Sequence, residues 1–236
     1  MTRRRWIADE VAGNRAALTG SHAQHLSRVL RVRVGQTFDI ATGEGVRSGT
    51  VSAIHDSRVE FELGEAVIEQ VAPTITLALA IFKFDRMEWA IEKCTELGVA
   101  RIIPVIAQRS ESHLASAAIK RVERWARVAR QASEQARRAG PPEIAEPVKV
   151  NELIQFPAAN RVVLSESEHE ITLRDALLEH TNDILLAVGP EGGWTATEIE
   201  LFSSEGWTSA SLGNTILRAE TAAIAAVAVA LSKMHR

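Results

Sequence analysis

The chain has one cysteine, Cys94, inside a stretch that reads as a helix. A single thiol cannot close an internal disulfide or build a cysteine-based metal site, and this composition fits a reducing cytoplasm. The seven histidines lack metal-ligand spacing; the nearest pair, His22 and His25, suits a surface or phosphate-facing position. No metal is therefore expected. Long apolar runs are also missing. The longest, Ala222 to Leu231, is alanine-rich and too short to span a bilayer. No apolar stretch follows the basic start Met1-Thr2-Arg3-Arg4-Arg5-Trp6, so no secretory signal is visible and a cytoplasmic protein is expected. Three catalytic signatures are absent: Gly-x-x-x-x-Gly-Lys-Ser/Thr, Gly-x-Gly-x-x-Gly after a strand, and Gly-x-Ser-x-Gly. A P-loop kinase, a typical Rossmann dehydrogenase and an α/β-hydrolase fall away.

A large excess of one charge is lacking as well: 27 Lys and Arg stand against 30 Asp and Glu, a net −3. The distribution says more than the total. Residues 1–35 hold seven Arg against Asp9 and Glu10, and residues 115–140 hold seven Lys or Arg against Glu123 and Glu134. Each patch is either a solvated face or an attraction to a polyanion such as RNA.

Two kinds of local pattern divide the chain. Residues 37–40, 46–54 and 58–63 alternate like strands around the turn Ala41-Thr42-Gly43-Glu44-Gly45, and Ser21 to Val32 reads as a short helix, which together predict a small β-barrel. From Pro73 onward strand and helix alternate, so the expected domains are 1–72 and an α/β domain at 73–236. Thr74 to Phe82 reads as a buried parallel strand. Residues 85–97 read as a helix with Asp85 as cap, Glu88 completing a capping box and Gly98 as its end. Met87, Ala90, Ile91, Cys94 and Leu97 make its buried stripe. Residues 115–139 predict one long amphipathic helix stopped by Pro141-Pro142.

The sharpest feature lies near the end. The apolar run Asp183 to Val188 stops at Gly189-Pro190-Glu191-Gly192-Gly193, and Thr195 with Glu198 then has the capping-box pattern. This strand, glycine loop and helix permit close backbone approach to a ligand. A second segment follows, Ser211-Leu212-Gly213-Asn214-Thr215-Ile216-Leu217-Arg218-Ala219-Glu220-Thr221-Ala222. With residues 164–168, these give three loops at strand C-terminal ends, where ligands of open α/β sheets bind. Glu191 can accept hydrogen bonds from an amine or hydroxyl, and the backbone of 212–217 can face an adenine edge.

The glycine loop and Leu212-Gly213-Asn214-x-Ile216-Leu217-Arg218-x-Glu220-Thr221-Ala222 resemble the knotted, SPOUT-class RNA methyltransferases. Within that class the resemblance is to the ribosomal RNA small-subunit methyltransferase E family, which methylates uracil N3 of 16S rRNA. Lys83-x-Asp85-Arg86-Met87-Glu88-Trp89, Glu134-Gln135-x-x-Arg138 and His25-Leu26-x-Arg28-Val29-Leu30-Arg31 agree with it. The resemblance implies a C-terminal trefoil knot holding S-adenosylmethionine, a PUA-like RNA-binding first domain, a homodimer packed partly through the last helix, and 16S rRNA within the small subunit as partner. It implies cofactor contacts from Leu164, Ser165, Gly189, Pro190, Glu191, Gly192, Gly193, Leu212, Gly213, Asn214, Ile216, Leu217, Thr221 and Ala222. Arg4, Arg5, His25, Arg28, Arg31, Lys83, Arg86, Arg109 and Arg138 are the candidate RNA contacts, Arg138 having a helix C-terminal charge as its rival reading.

Methyl transfer to uracil N3 needs an unprotonated nitrogen and charge stabilisation at O2 or O4. Arg218 is the candidate donor. Glu220 is either the base or a helix N-terminal charge, and water is the other acceptor. A ribose 2′-O-methyltransferase of the same knotted class and a non-catalytic RNA-binding module are the rival functions.

Overall fold

Alternating apolar residues over 37–63 form strands in the computed structural model, which describes residues 5–43, 45–67, 74–178, 181 and 183–234. The chain divides into two units, residues 1–71 with 133–140, and residues 72–132 with 141–236. The boundary expected at 72/73 and the candidate Arg4 lie outside the described residues.

The first unit opens with β1 (Arg5–Ile7), β2 (Glu10–Ala12) and β3 (Arg15–Thr19), followed by α1 (Gly20–Gln24), which continues through one wider π-type turn over His25–Val29. Then come β4 (Thr37–Ala41), β5 (Val46–His55) and β6 (Arg58–Ala66). Their sheet order is β1-β4-β5-β6-β3-β2, with β1 parallel to β4 and the other pairs antiparallel. No pairing between β1 and β2 closes the sheet among the described residues, so of the expected small β-barrel they show an open, half-barrel sheet. The outermost strands have only three residues each, too few for an extended ladder. Two register shifts bend β5. Leu18, Leu26, Ile40, Val59 and Phe61 fill the core beneath it.

The second unit holds β7 (Thr74–Ala80), α2 (Phe84–Leu97), β8 (Arg101–Ile106), α3 (Ser112–Ala117) and all of α4 (Val122–Gln135) but its residues 133–135, which belong to the first unit. It continues with β9 (Glu143–Ile144), β10 (Val148–Lys149), α5 (Val150–Leu153), β11 (Asn160–Leu164) and α6 (Leu173–Ala176), then β12 (Asp183–Val188), α7 (Ala196–Ser204), β13 (Thr208–Ala210) and α8 (Ala219–Met234). All strand pairs are parallel, in the order β10-β8-β7-β12-β11-β13, with β9 also on β8. Period-two alternation splits the strands between two cores. Ile75, Leu77 and Leu79 of β7 and Ile184, Leu186 and Val188 of β12 face Met87, Cys94, Trp125, Ala223 and Val227. Ala78, Ala80, Leu185 and Ala187 face Leu153, Trp194, Phe202 and Trp207. Burial drives the Cys94 thiol up to about 12, as expected of a core residue rather than a reactive one.

Two helix ends differ from the sequence reading. Lys83, not Asp85, occupies the position before α2, and no side chain caps it. Glu88 turns instead to Arg124, whose Nε and Nη2 donate to its carboxylate at 3.0–3.3 Å; an ion pair across helices outcompetes the local cap. The expected helix 115–139 is three pieces, α3, a tighter 3₁₀ turn over Ala118–Arg121, and α4. It ends well before the prolines. Arg137 takes left-handed backbone at φ 58°, Arg138 N–H donates to Ser133 O at 2.9 Å and Arg137 N–H to Glu134 O at 3.2 Å. This is a Schellman end with arginine where glycine is usual. No helix among the described residues is long and apolar enough to cross a membrane.

Candidate cofactor cavity and its loops

Parallel β11, β12 and β13 are neighbours, so the loops that follow them leave one edge of the sheet together. They enclose a cavity of about 520 Å³, within the range of small-molecule sites.

The glycine loop after β12 is held from several sides. Gly193 has φ +67°, and its N–H donates to Pro190 O at 2.8 Å. Glycine suits that left-handed conformation, and a Cβ there would also stand 3.2 Å from Glu166 Oε1. A Cβ at Gly189 would stand 3.2 Å from the Trp194 indole nitrogen. The expected capping box is present: Thr195 N–H donates to Glu198 Oε2 at 2.8 Å, and Glu198 N–H to the Thr195 hydroxyl oxygen at 3.3 Å. Glu198 is buried and also accepts from Gln108 N–H at 2.8 Å. The next residue, Arg109, donates from Nη1 to Gly192 O and to Trp194 O. Residues after β8 thus clamp the loop after β12.

After β11, Ser165 N–H donates to Ala210 O at 2.9 Å, and the Ser165 and Ser167 hydroxyls are 2.8 Å apart. After β13, residues 213–216 are exposed, and Ile216 is 83% exposed although it borders the cavity.

Of the cofactor candidates, Leu164, Ser165, Gly189, Pro190, Glu191, Gly193, Leu212, Gly213, Ile216, Leu217 and Ala222 line the cavity. Gly192, Asn214 and Thr221 are not in its wall; all three are exposed, and Gly192 offers its carbonyl to Arg109. Arg109, taken as an RNA candidate, lines the cavity too. Lining residues that were not among the candidates are Glu166, Ser167, Val188, Trp194, Ala196, Ile199, Glu200, Ala210, Ser211, Thr215 and Ala219. Ala196, Ile199 and Glu200 have i, i+3, i+4 spacing, which marks the helix face behind a glycine loop and could have found them.

The catalytic candidates stand apart from the wall. Arg218 is exposed and makes no ion pair among the described residues; its carbonyl accepts from Ala222 N–H at 2.8 Å, opening α8. Glu220 is 4% exposed, its Oε1 lies 3.8 Å from Arg86 Nε, and its Oε2 has no hydrogen-bond partner among the described residues. Among the other RNA candidates, Lys83 is exposed in the second unit, and His25, Arg28 and Arg31 are exposed in the first. The His25 ring lies 5.9 Å from Trp6 of β1, next to Arg5. Arg138 is half-buried, and that burial pushes its guanidinium below the ordinary arginine value. Among the described residues no group of three or more His, Cys, Asp or Glu could hold a metal.

A parallel α/β unit with a loop-built cavity and these motifs defines the class: the model of a family described as an RNA methyltransferase domain matches residues 70–231. Across nearly the whole chain the similarity is narrower. The Ribosomal RNA small subunit methyltransferase E of Rickettsia conorii is 33% identical over 214 residues, 88% of this chain and 85% of that protein. The crystal structure of the enzyme of that name from Neisseria gonorrhoeae, bound to S-adenosyl methionine, superposes with a TM-score of 0.83 at 28% identity, covering 99% of this chain and 98% of that one. A putative methyltransferase from Legionella pneumophila in complex with the same cofactor gives 0.81 at 28% identity, with 98% of each chain covered. The chain belongs to the ribosomal RNA small subunit methyltransferase E family.

Proposed function

We propose that this chain transfers a methyl group from S-adenosylmethionine to N3 of a uridine in 16S rRNA of the small ribosomal subunit. The observation that carries the reading is the cavity itself, which gathers both sequence motifs and the 164–167 loop around one space. Its walls fit the cofactor. A Cβ at Gly189 would press on the Trp194 indole and one at Gly193 on Glu166, and both of those side chains line the cavity. Glu166, Glu191 and Glu200 line the space together with the cation Arg109, an environment suited to an ammonium and a sulfonium.

Bound S-adenosylmethionine supplies an electrophilic methyl group. The protein residues do the rest. The three loops hold the donor and exclude water. Arg218, with no carboxylate partner among the described residues, is free to donate to O2 or O4 of the uracil as negative charge develops there. A guanidinium cannot take the N3 proton. Glu220 lies outside the cavity wall, which favours water as the acceptor. The base must leave any stack or pair to present N3, while Arg5, His25, Arg28, Arg31 and Lys83 position the RNA through its phosphates.

The same reading includes a trefoil knot built from the loops after β12 and β13, a PUA-like first domain, and work in the cytoplasm. It also includes a homodimer through α8, an alanine-rich helix on which Ala228 and Ser232 are exposed.

The test is incubation with small subunits from a strain lacking this activity and methyl-labelled cofactor, then nuclease digestion and mapping. N3-methyluridine at one position is expected. A ribose 2′-O mark, or no incorporation, would overturn the assignment.

A further inference from the structure

Arg86 stands in the first turn of α2, outside both loop motifs, yet it reaches each of them. Its Nη1 is 3.7 Å from Glu191 Oε1 in the glycine loop, and its Nε is 3.8 Å from Glu220 Oε1 in the first turn of α8. Glu191 lines the cavity, and Leu217 and Ala219, just before Glu220, line it from the other side. Glu220 is 94% removed from solvent along its side chain, and its Oε2 is unpartnered among the described residues. A buried carboxylate calls for a facing counter-charge, and Arg86 is the cation that faces it among the described residues. Both separations exceed the 2.7–2.9 Å or so of a charge-assisted hydrogen bond. The guanidinium therefore sits between two carboxylates without being locked to either, and it attracts both.

We propose that Arg86 is a positioning residue: a cationic strut that holds the glycine loop and the start of α8 at the spacing the cavity needs, rather than a contact for RNA. The proposal rests on the reading of the cavity as the S-adenosylmethionine site. It explains why two carboxylates from separate motifs converge on one arginine from a third element.

The experiment uses the full chain and two readouts. The first is amide hydrogen exchange of residues 189–193 in cofactor-free protein, which reports on the strut alone. The second is S-adenosylmethionine affinity by calorimetry. Arg86→Gln should speed exchange and raise the dissociation constant, each about tenfold. The double variant Arg86→Gln/Glu220→Gln should regain thermal stability, because no unpaired charge remains buried, yet keep the fast exchange and the weak binding. Arg86→Lys should rescue both in part, since it returns the charge without the fork. Wild-type exchange in Arg86→Gln, or full recovery of exchange in the double variant, would overturn the strut and leave Arg86 as a neutraliser of Glu220. If wild-type protein binds no cofactor, the functional reading fails while exchange still decides the strut.

Discussion

The two motif-bearing loops around the cavity are built on opposite plans. The glycine loop is braced: Arg109 donates to two of its carbonyls, Gly193 closes a turn on Pro190, Trp194 packs under Gly189, and a buried capping box fixes its exit. The loop from Leu212 to Leu217 makes no hydrogen bond to any described residue, and its centre is exposed. A braced wall has already lost its conformational entropy before a ligand arrives, whereas an open one loses about 1–2 kcal/mol per residue on ordering. Binding energy should therefore come mainly from the first loop. The second loop supplies Arg218 and adapts to what has bound.

That division can be broken by separating affinity from turnover. Arg218→Ala carries the largest expected effect: transfer should fall by roughly 10²–10³, with cofactor affinity within about twofold of wild type. Single-turnover rates beside calorimetry check the split, and a matching loss in affinity would erase the contrast between the loops. Gly193→Val comes next. A β-branched residue at φ +67° that also presses on Glu166 should weaken cofactor binding about a hundredfold through roughly 1–3 kcal/mol of strain or loop displacement. Gly192→Val should do much less. Gly192 lies outside the left-handed region and its added Cβ would meet Arg109 Cδ at 3.3 Å, so equal losses at the two glycines would show that the backbone conformation of Gly193 is irrelevant. Arg109→Ala follows at about tenfold in affinity, the effect of losing two charge-assisted bonds to the loop. Faster exchange at 192–195 should accompany it.

The braced loop is also the part most legible in the sequence. Three glycines, a proline and the Thr195–Glu198 pair are local signals, and local hydrogen bonds satisfy them. The α2 stripe reads equally well because period and burial coincide at Met87, Ala90, Ile91 and Cys94. What stayed hidden depends on distant partners. Glu88 has the spacing of a capping box, but Arg124, 36 residues away, takes it. Arg109 carries a charge that suggests RNA, and only the fold brings it 83 residues along the chain to Gly192. β1 and β2 are too short for alternation to register, and Arg137 ends its helix in a backbone state that sequence assigns to glycine. Charge identifies a residue's capability; topology decides which carboxylate, carbonyl or phosphate it meets.

The smallest effect tests the open loop most directly. Ile216 is 83% exposed, so Ile216→Ala removes almost no burial in the free protein and should leave its melting temperature unchanged. If the loop closes over bound cofactor, part of that side chain is covered only in the complex. At about 25 cal/mol per Å² of apolar surface, losing a few tens of Å² costs on the order of 1 kcal/mol, or about fivefold in affinity. Exchange at 212–217 should then slow when wild-type protein binds cofactor, while exchange at 189–193 changes little. An unaltered affinity in Ile216→Ala, with no slowing at 212–217, would mean that the second loop does not close on the cofactor and that the braced wall holds it alone.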